Sequence, residues 1–121
     1  MSQTYEDPLS LAAWNALSSS VPKIVVGTYT GNGQASQFID LGFTPKAIFV
    51  CPRNFTIFSS GSAGYFRYGG LAVTGSPMHA NNGNPVIEIT GTGFRAYYDY
   101  STSDHIMANN DGTIYNYIAA G

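Results

Sequence analysis

Two short stretches hold the residue types that could engage a ligand. The first is His79 with Asn81, Asn82 and Asn84, and the second is Tyr98, Tyr100, Asp104 and His105. Asn, Asp and His side chains place donors and acceptors at short reach, and a tyrosine ring adds an apolar face. That combination suits a neutral sugar, whose hydroxyls both donate and accept. The same residue types are also good turn formers, so plain loop punctuation is the competing reading.

Covalent chemistry finds less support. Glu88, Asp99 and Asp104 are carboxylates that could pair as the acid and base of a glycosidase. Glu88, however, alternates with Ile87 and Ile89, where an exposed acid is expected on a half-buried strand. There is no GxSxG elbow and no phosphate-cradling glycine motif opening a helix. The chain is therefore expected to be non-enzymatic. A metal site is not expected either, because HxH, cysteine pairs and calcium-loop acids are all missing. No cofactor is expected.

Turn residues cut the chain into short extended segments. Ile24 to Thr30 is rich in β-branched and aromatic residues, and Gly31-Asn32-Gly33 supplies the positive φ of a tight reversal. Gln37 to Leu41 alternates, Gly42 to Pro45 interrupts, and Ala47 to Cys51 is an unbroken apolar run that reads as a strand covered on both faces. Pro52 to Tyr65 is irregular, with SSGSAG as a flexible connector. Arg67 to Thr74 reads as a strand with a glycine pair, and residues 75–85 as a long polar loop. Val86 to Thr90, Phe94 to Tyr100, His105 to Ala108 and Thr113 to Ala119 follow, with Asn109 to Gly112 as a hairpin signal before the last. About eight strands at this spacing imply an all-β antiparallel sandwich or jelly roll over residues 21–121.

The first twenty residues differ in kind. Asp7-Pro8 is an N-cap and first-turn pair, and Leu9, Ala13 and Leu17 recur every four residues beside Trp14. A short N-terminal α-helix over this arm is marginal alone and must dock, either on its own domain or on a neighbour. In the last strand, Tyr115 and Tyr117 share one face and Ile114 and Ile118 the other. If the isoleucines face the core, both tyrosines point outward, as a subunit interface or a sugar-stacking platform. Trp14, Leu17, Phe49, Tyr115 and Tyr117 are thus the candidate interface or attachment residues.

Composition narrows the partners. Five Lys plus Arg and seven Asp plus Glu make 10% of the 121 residues and a net charge of −2, against ~25% charged in an average soluble domain. The scattered cations exclude a phosphate-binding patch, so nucleic acid is not an expected partner. Neither a membrane-spanning run nor a signal peptide is visible. Cys51 stands alone, which leaves no internal disulfide. So little charge fits a surface largely covered by partners, most simply further copies of the same chain.

The stretch GTYTGNGQASQFIDLGFTPKAIFV, together with the late YNYIAAG, resembles the small all-β modules that end phage and prophage tail-fibre or tail-tip proteins. A looser likeness links it to H-type lectin domains. The resemblance covers most of the chain after Lys23 and brings no catalytic residue. It implies a virion structural protein, made in the host cytoplasm without a signal peptide. The module would form a homo-oligomer, expected as a trimer, held to other virion proteins by the N-terminal arm. It would recognise host-surface glycans through loops 75–85 and 101–112. A head-decoration or baseplate protein without a ligand, and an H-type-like oligomeric lectin, are the alternatives.

Overall fold

A computed structural model describes residues 23–121, which form eleven strands and, among the described residues, no helix. The arm expected to be helical, with Trp14 and Leu17, lies outside the described residues. The strands are β1 (Ile24–Thr30), β2 (Ser36–Asp40), β3 (Ala47–Pro52), β4 (Phe58–Gly61), β5 (Gly64–Arg67) and β6 (Gly70–Val73). They continue with β7 (Met78–His79), β8 (Pro85–Thr90), β9 (Gly93–Asp99), β10 (Asp104–Met107) and β11 (Ile114–Ala120).

Two sheets result. One has four strands in the order β1-β11-β3-β6. The other has seven, in the order β4-β5-β10-β9-β8-β7, with β2 also on β9. Every pairing is antiparallel except β5 with β10, which run parallel. The sandwich class stands, therefore, with more strands than the eight expected and one parallel pair inside it. The extra strands come from segments that looked like loops. SSGSAG is the tip of the β4–β5 hairpin, and Met78–His79 pairs briefly with β8.

The core lies between the sheets. Tyr29, Ile48, Val50, Ala72, Tyr115 and Ala119 come from the four-stranded side, and Val86, Ile87, Phe94, Ala96 and Ile106 from the other. Aromatic rings knit the two layers together. Tyr29 stacks on Tyr115 with centroids 4.8 Å apart, and Phe94 meets Tyr29 and Tyr117 edge-on at 5.7 and 5.4 Å. Offset and edge-on geometries of this kind are favoured by the ring quadrupoles.

This packing reverses two expectations. Tyr115 is completely buried and Tyr117 packs against the core, while Ile114 and Ile118 face outward. The reason is polar as much as apolar. The Tyr29 hydroxyl donates to the Ala108 carbonyl at 2.7 Å, and the Tyr115 hydroxyl donates to that of Met107 while accepting from the Asn110 amide at 3.0 Å. The two phenols satisfy the segment that carries the chain from β10 to β11, which an isoleucine cannot do. Tyr115 is thus unavailable as an interface residue. Burial pushes its hydroxyl up to about 12 and that of Tyr29 higher still, with Tyr115 adding to the latter shift. Among the described residues, β3 is covered on one face and not on both as expected: Ile48 and Val50 are buried, but Phe49 between them is exposed.

The turn signals are real, but they join sheets rather than hairpins. Residues 31–35 lead from β1 in one sheet to β2 in the other, and residues 108–113 return from β10 to β11. These two crossings lock together. Gly33 N–H donates to the Asn109 carbonyl at 2.9 Å, and Gly112 N–H to that of Gly31 at 3.0 Å. The fully buried Asn109 side chain donates to Asn32 Oδ1 at 2.7 Å and to the Gln34 carbonyl at 3.0 Å. A Cβ at Gly31 would overlap the Asn110 carbonyl, so the close approach requires glycine there.

Candidate functional site

The structure divides seven of the eight candidate ligand residues among three places and leaves His79 apart. The first is a buried staple. Asp104 is 7% exposed and pairs with Arg67, taking Nε–H at 2.7 Å and a second guanidinium N–H at 3.3 Å. It also accepts the Asn81 backbone N–H at 2.8 Å. Burial pushes its carboxyl up, but the hydrogen bonds from Arg67 and Asn81 outweigh this and hold it below its ordinary value. A carboxylate so fully engaged fastens the 80–84 loop to β5 and β10 and is not free for a ligand.

The second place is an aromatic stack on the opposite side of the same strands. The register pairs Tyr65 with Asp104 and Phe66 with His105, so successive residues of β5 and β10 alternate between faces. His105 lies between Phe66, at 4.6 Å, and Tyr100, which covers it in near-parallel stacking at 3.9 Å and 15°. His105 Nε2–H reaches the Ala63 carbonyl at 3.2 Å, which places the proton on that nitrogen and leaves Nδ1 a buried acceptor without a partner among the described residues. Tyr100 itself is 50% exposed. Its outer ring face is open, while its inner face is held flat by the imidazole.

Short polar groups flank this ring. Asn82 Nδ2–H donates to Thr102 Oγ1 at 3.2 Å, so the 80–84 and 100–104 loops meet here. The Ser101 hydroxyl and amide donate to Asp99 at 2.6 and 2.9 Å, and these bonds hold the Asp99 carboxyl below its ordinary value. Asn82 Oδ1 in turn accepts from the Asn84 amide at 2.9 Å, an Asx-type turn that shapes its loop.

Asn84 and Tyr98 occupy the third place, a shallow depression of about 350 Å³ between Ala35, Pro85 and Ile106. His79 joins none of these groups. It is exposed on β7, two residues before the Asn81 amide that bonds Asp104, and its side chain makes no hydrogen bond among the described residues. Tyr100 and His105 therefore meet in one surface, Asn81 and Asp104 meet in the staple on the other side of the strands, and Asn82 is tied to Thr102 between the loops.

Several contributors were not foreseen. Phe66 completes the stack, Arg67 holds the staple, and Thr102 joins the loops. Their roles depend on the parallel β5–β10 register, which no local pattern announces. A further cleft of about 370 Å³ lies at the 53–55 turn, between Arg53, Asn54, Phe55, Tyr68 and Asn110. Phe55 meets Tyr68 edge-on at 4.7 Å, and burial raises the Tyr68 hydroxyl above its ordinary value.

No group of three or more His, Cys, Asp or Glu side chains converges among the described residues. No described helix is long and apolar enough to cross a membrane. Comparison of the chain with protein-family models, with curated proteins and with solved structures gives no match to any of them.

Proposed function

We propose that the chain is a non-enzymatic recognition module of a phage or prophage virion, similar to a tail-fibre tip, that binds host-surface glycans. The half-exposed Tyr100 ring, fixed flat against His105 and followed in the chain by Ser101 and by Thr102, which Asn82 joins, carries this reading. A rigid aromatic face loses little entropy when a sugar ring settles on it, and the flanking hydroxyls and amide read the sugar's own hydroxyls. One such shallow site binds weakly. Several copies in a homo-oligomer, a trimer in this reading, raise avidity without any new contact. The resemblance of GTYTGNGQASQFIDLGFTPKAIFV and YNYIAAG to tail-tip modules supports reading that multivalency as a virion's.

A glycan array probed with the full chain tests the reading. Binding should concentrate on one glycan class and fall by about tenfold or more in Tyr100→Ala, equivalent to about 1.4 kcal/mol. Binding that is unchanged in Tyr100→Ala, or absent for every glycan, would overturn it. A purely structural role in head decoration or baseplate is the second reading, favoured by a broad apolar sheet face that no described residue covers. A chain that binds no glycan yet occupies every particle would establish that role.

A further inference from the structure

The outward side chains of the four-stranded sheet form continuous apolar rows. The registers align Val26, Ile118, Phe49 and Leu71 across all four strands, and Ile24, Ala120, Ala47 and Val73 in the next row. No charged side chain occurs in any of these strands. Charges stand only at their ends, with Lys23 before β1 and Lys46 and Arg53 on either side of β3. At the centre, a depression of about 250 Å³ opens between Val26, Phe49, Cys51, Asn116, Tyr117 and Ile118. No described residue covers this face. An apolar centre inside a charged rim is the anatomy of a protein–protein interface.

We infer that this face packs against another copy of the same chain. Its area is that of a stable seam. Ile24 is 63% exposed, Val26 74% and Leu71 57%, and Phe49, Val73, Ile114 and Ile118 lie between 37% and 44%. At these exposures the seven side chains present about 600 Å², and the exposed Thr28, Thr30 and Asn116 beside them bring the face to about 800 Å². Each partner in a standard interface contributes about 800 Å².

Shape and charge favour the same chain as the occupant. A surface that meets its own copy must hold both projection and hollow on one patch. Val26 and Leu71, the most exposed residues of their row, stand on the edge strands β1 and β6, and the depression opens around β11 between them. Two such faces also meet without bringing like charges together. A strongly charged partner, by contrast, would find no counter-charge within these strands to fix its register. This seam supplies the multivalency proposed above, but it does not rest on glycan binding, which is assigned to the opposite sheet.

Sedimentation of the full chain tests the seam. The parent should run at twice its chain mass or a higher multiple. Val26→Asp and Leu71→Lys lie at exposed positions on opposite edge strands, so both variants should fold. Each should return the protein to a single chain with an unchanged circular dichroism spectrum, whereas Phe38→Asp on the other sheet should keep the parent's mass. The only cysteine gives a second reading, because Cys51 lines the central depression. A maleimide should label its thiol severalfold faster in Leu71→Lys than in the parent. A parent chain that sediments alone at every concentration would overturn the inference and give the face to a different occupant. Retention of the oligomer in both folded variants would overturn it too, placing the seam elsewhere.

Discussion

The two sheets of this sandwich obey one alternation but turn opposite kinds of surface outward. On the seven-stranded sheet, the outward positions of β8 and β9 carry polar side chains that pair with one another and with β2. Tyr97 donates to Glu88 at 2.7 Å, Arg95 donates to Ser36 at 3.0 Å, and the Arg95 guanidinium lies 5.7 Å from the Phe38 ring centre. On the four-stranded sheet, the outward row is Val26, Ile118, Phe49 and Leu71. A strand that meets water on one face should read apolar-in, polar-out. β8 and β9 follow that rule, whereas β1, β3 and β11 do not. The difference separates a face whose polar side chains pair with one another from a face whose outward row is apolar.

The largest effect should separate the two sides of a single strand. Tyr115→Ala removes a fully buried ring and strands the Asn110 amide and Met107 carbonyl, which should lower unfolding free energy by about 3–5 kcal/mol. Asn116→Ala, one residue away on the outer side, should stay within about 0.5 kcal/mol. Urea unfolding of both variants checks this, and equal losses would dissolve the distinction between the faces of β11.

Asp104→Ala should follow, at about 3 kcal/mol, because it leaves the Arg67 guanidinium half-buried and unpaired. The pH dependence has a definite sign. The Asp104 carboxyl is held below 3.8 in the folded chain, so its contribution is complete above that pH. It is lost as pH falls through the lower folded value. Acid titration of stability should therefore be shallower in Asp104→Ala than in the parent chain.

At the alkaline end the sign is opposite. The Tyr115 hydroxyl, ordinarily at 10.0, is raised by burial to about 12. Its contribution is full below pH 10 and disappears as pH rises through about 12. Thermal melts across that window should fall steeply in the parent chain and less steeply in Tyr115→Phe. Smaller still is Tyr97→Phe on the solvent-facing sheet. It deletes one partly exposed hydrogen bond to Glu88, a loss of about 1 kcal/mol by chemical denaturation.

Sequence made the sandwich visible because its signals are local. Alternation in residues 86–90 and 94–100 and the glycine and asparagine turns place the strands and breaks where they occur. What a strand faces is not local. Ile114 and Tyr115 are equally good strand residues, and the choice between them was made by the carbonyls of Met107 and Ala108, which only the β10–β11 crossing brings within reach. For the same reason Gly31-Asn32-Gly33 and Asn109-Asn110-Asp111-Gly112 were legible as turns, but not as a paired set of crossings.

The candidate site was legible by residue type and not by grouping. Tyr100 and His105, five residues apart, stack on each other within one segment, but Phe66 and Asn82 arrive through the parallel β5–β10 pair and the Asn81–Asp104 bond. Asp104 carried the same sequence signal as a sugar ligand and became a structural clamp, because Arg67 reaches it diagonally across that pair from two positions along β5.

The measurement that most directly tests the division between the two faces is a chemical-shift titration of the full chain with the glycan it binds best on an array. Backbone amides at residues 66, 82 and 99–105 should move together, with those at residues 24–28, 47–51 and 114–120 unaffected. Shifts centred on the four-stranded face, or on the Arg53–Tyr68 cleft, would contradict the assignment of recognition to the Tyr100 platform.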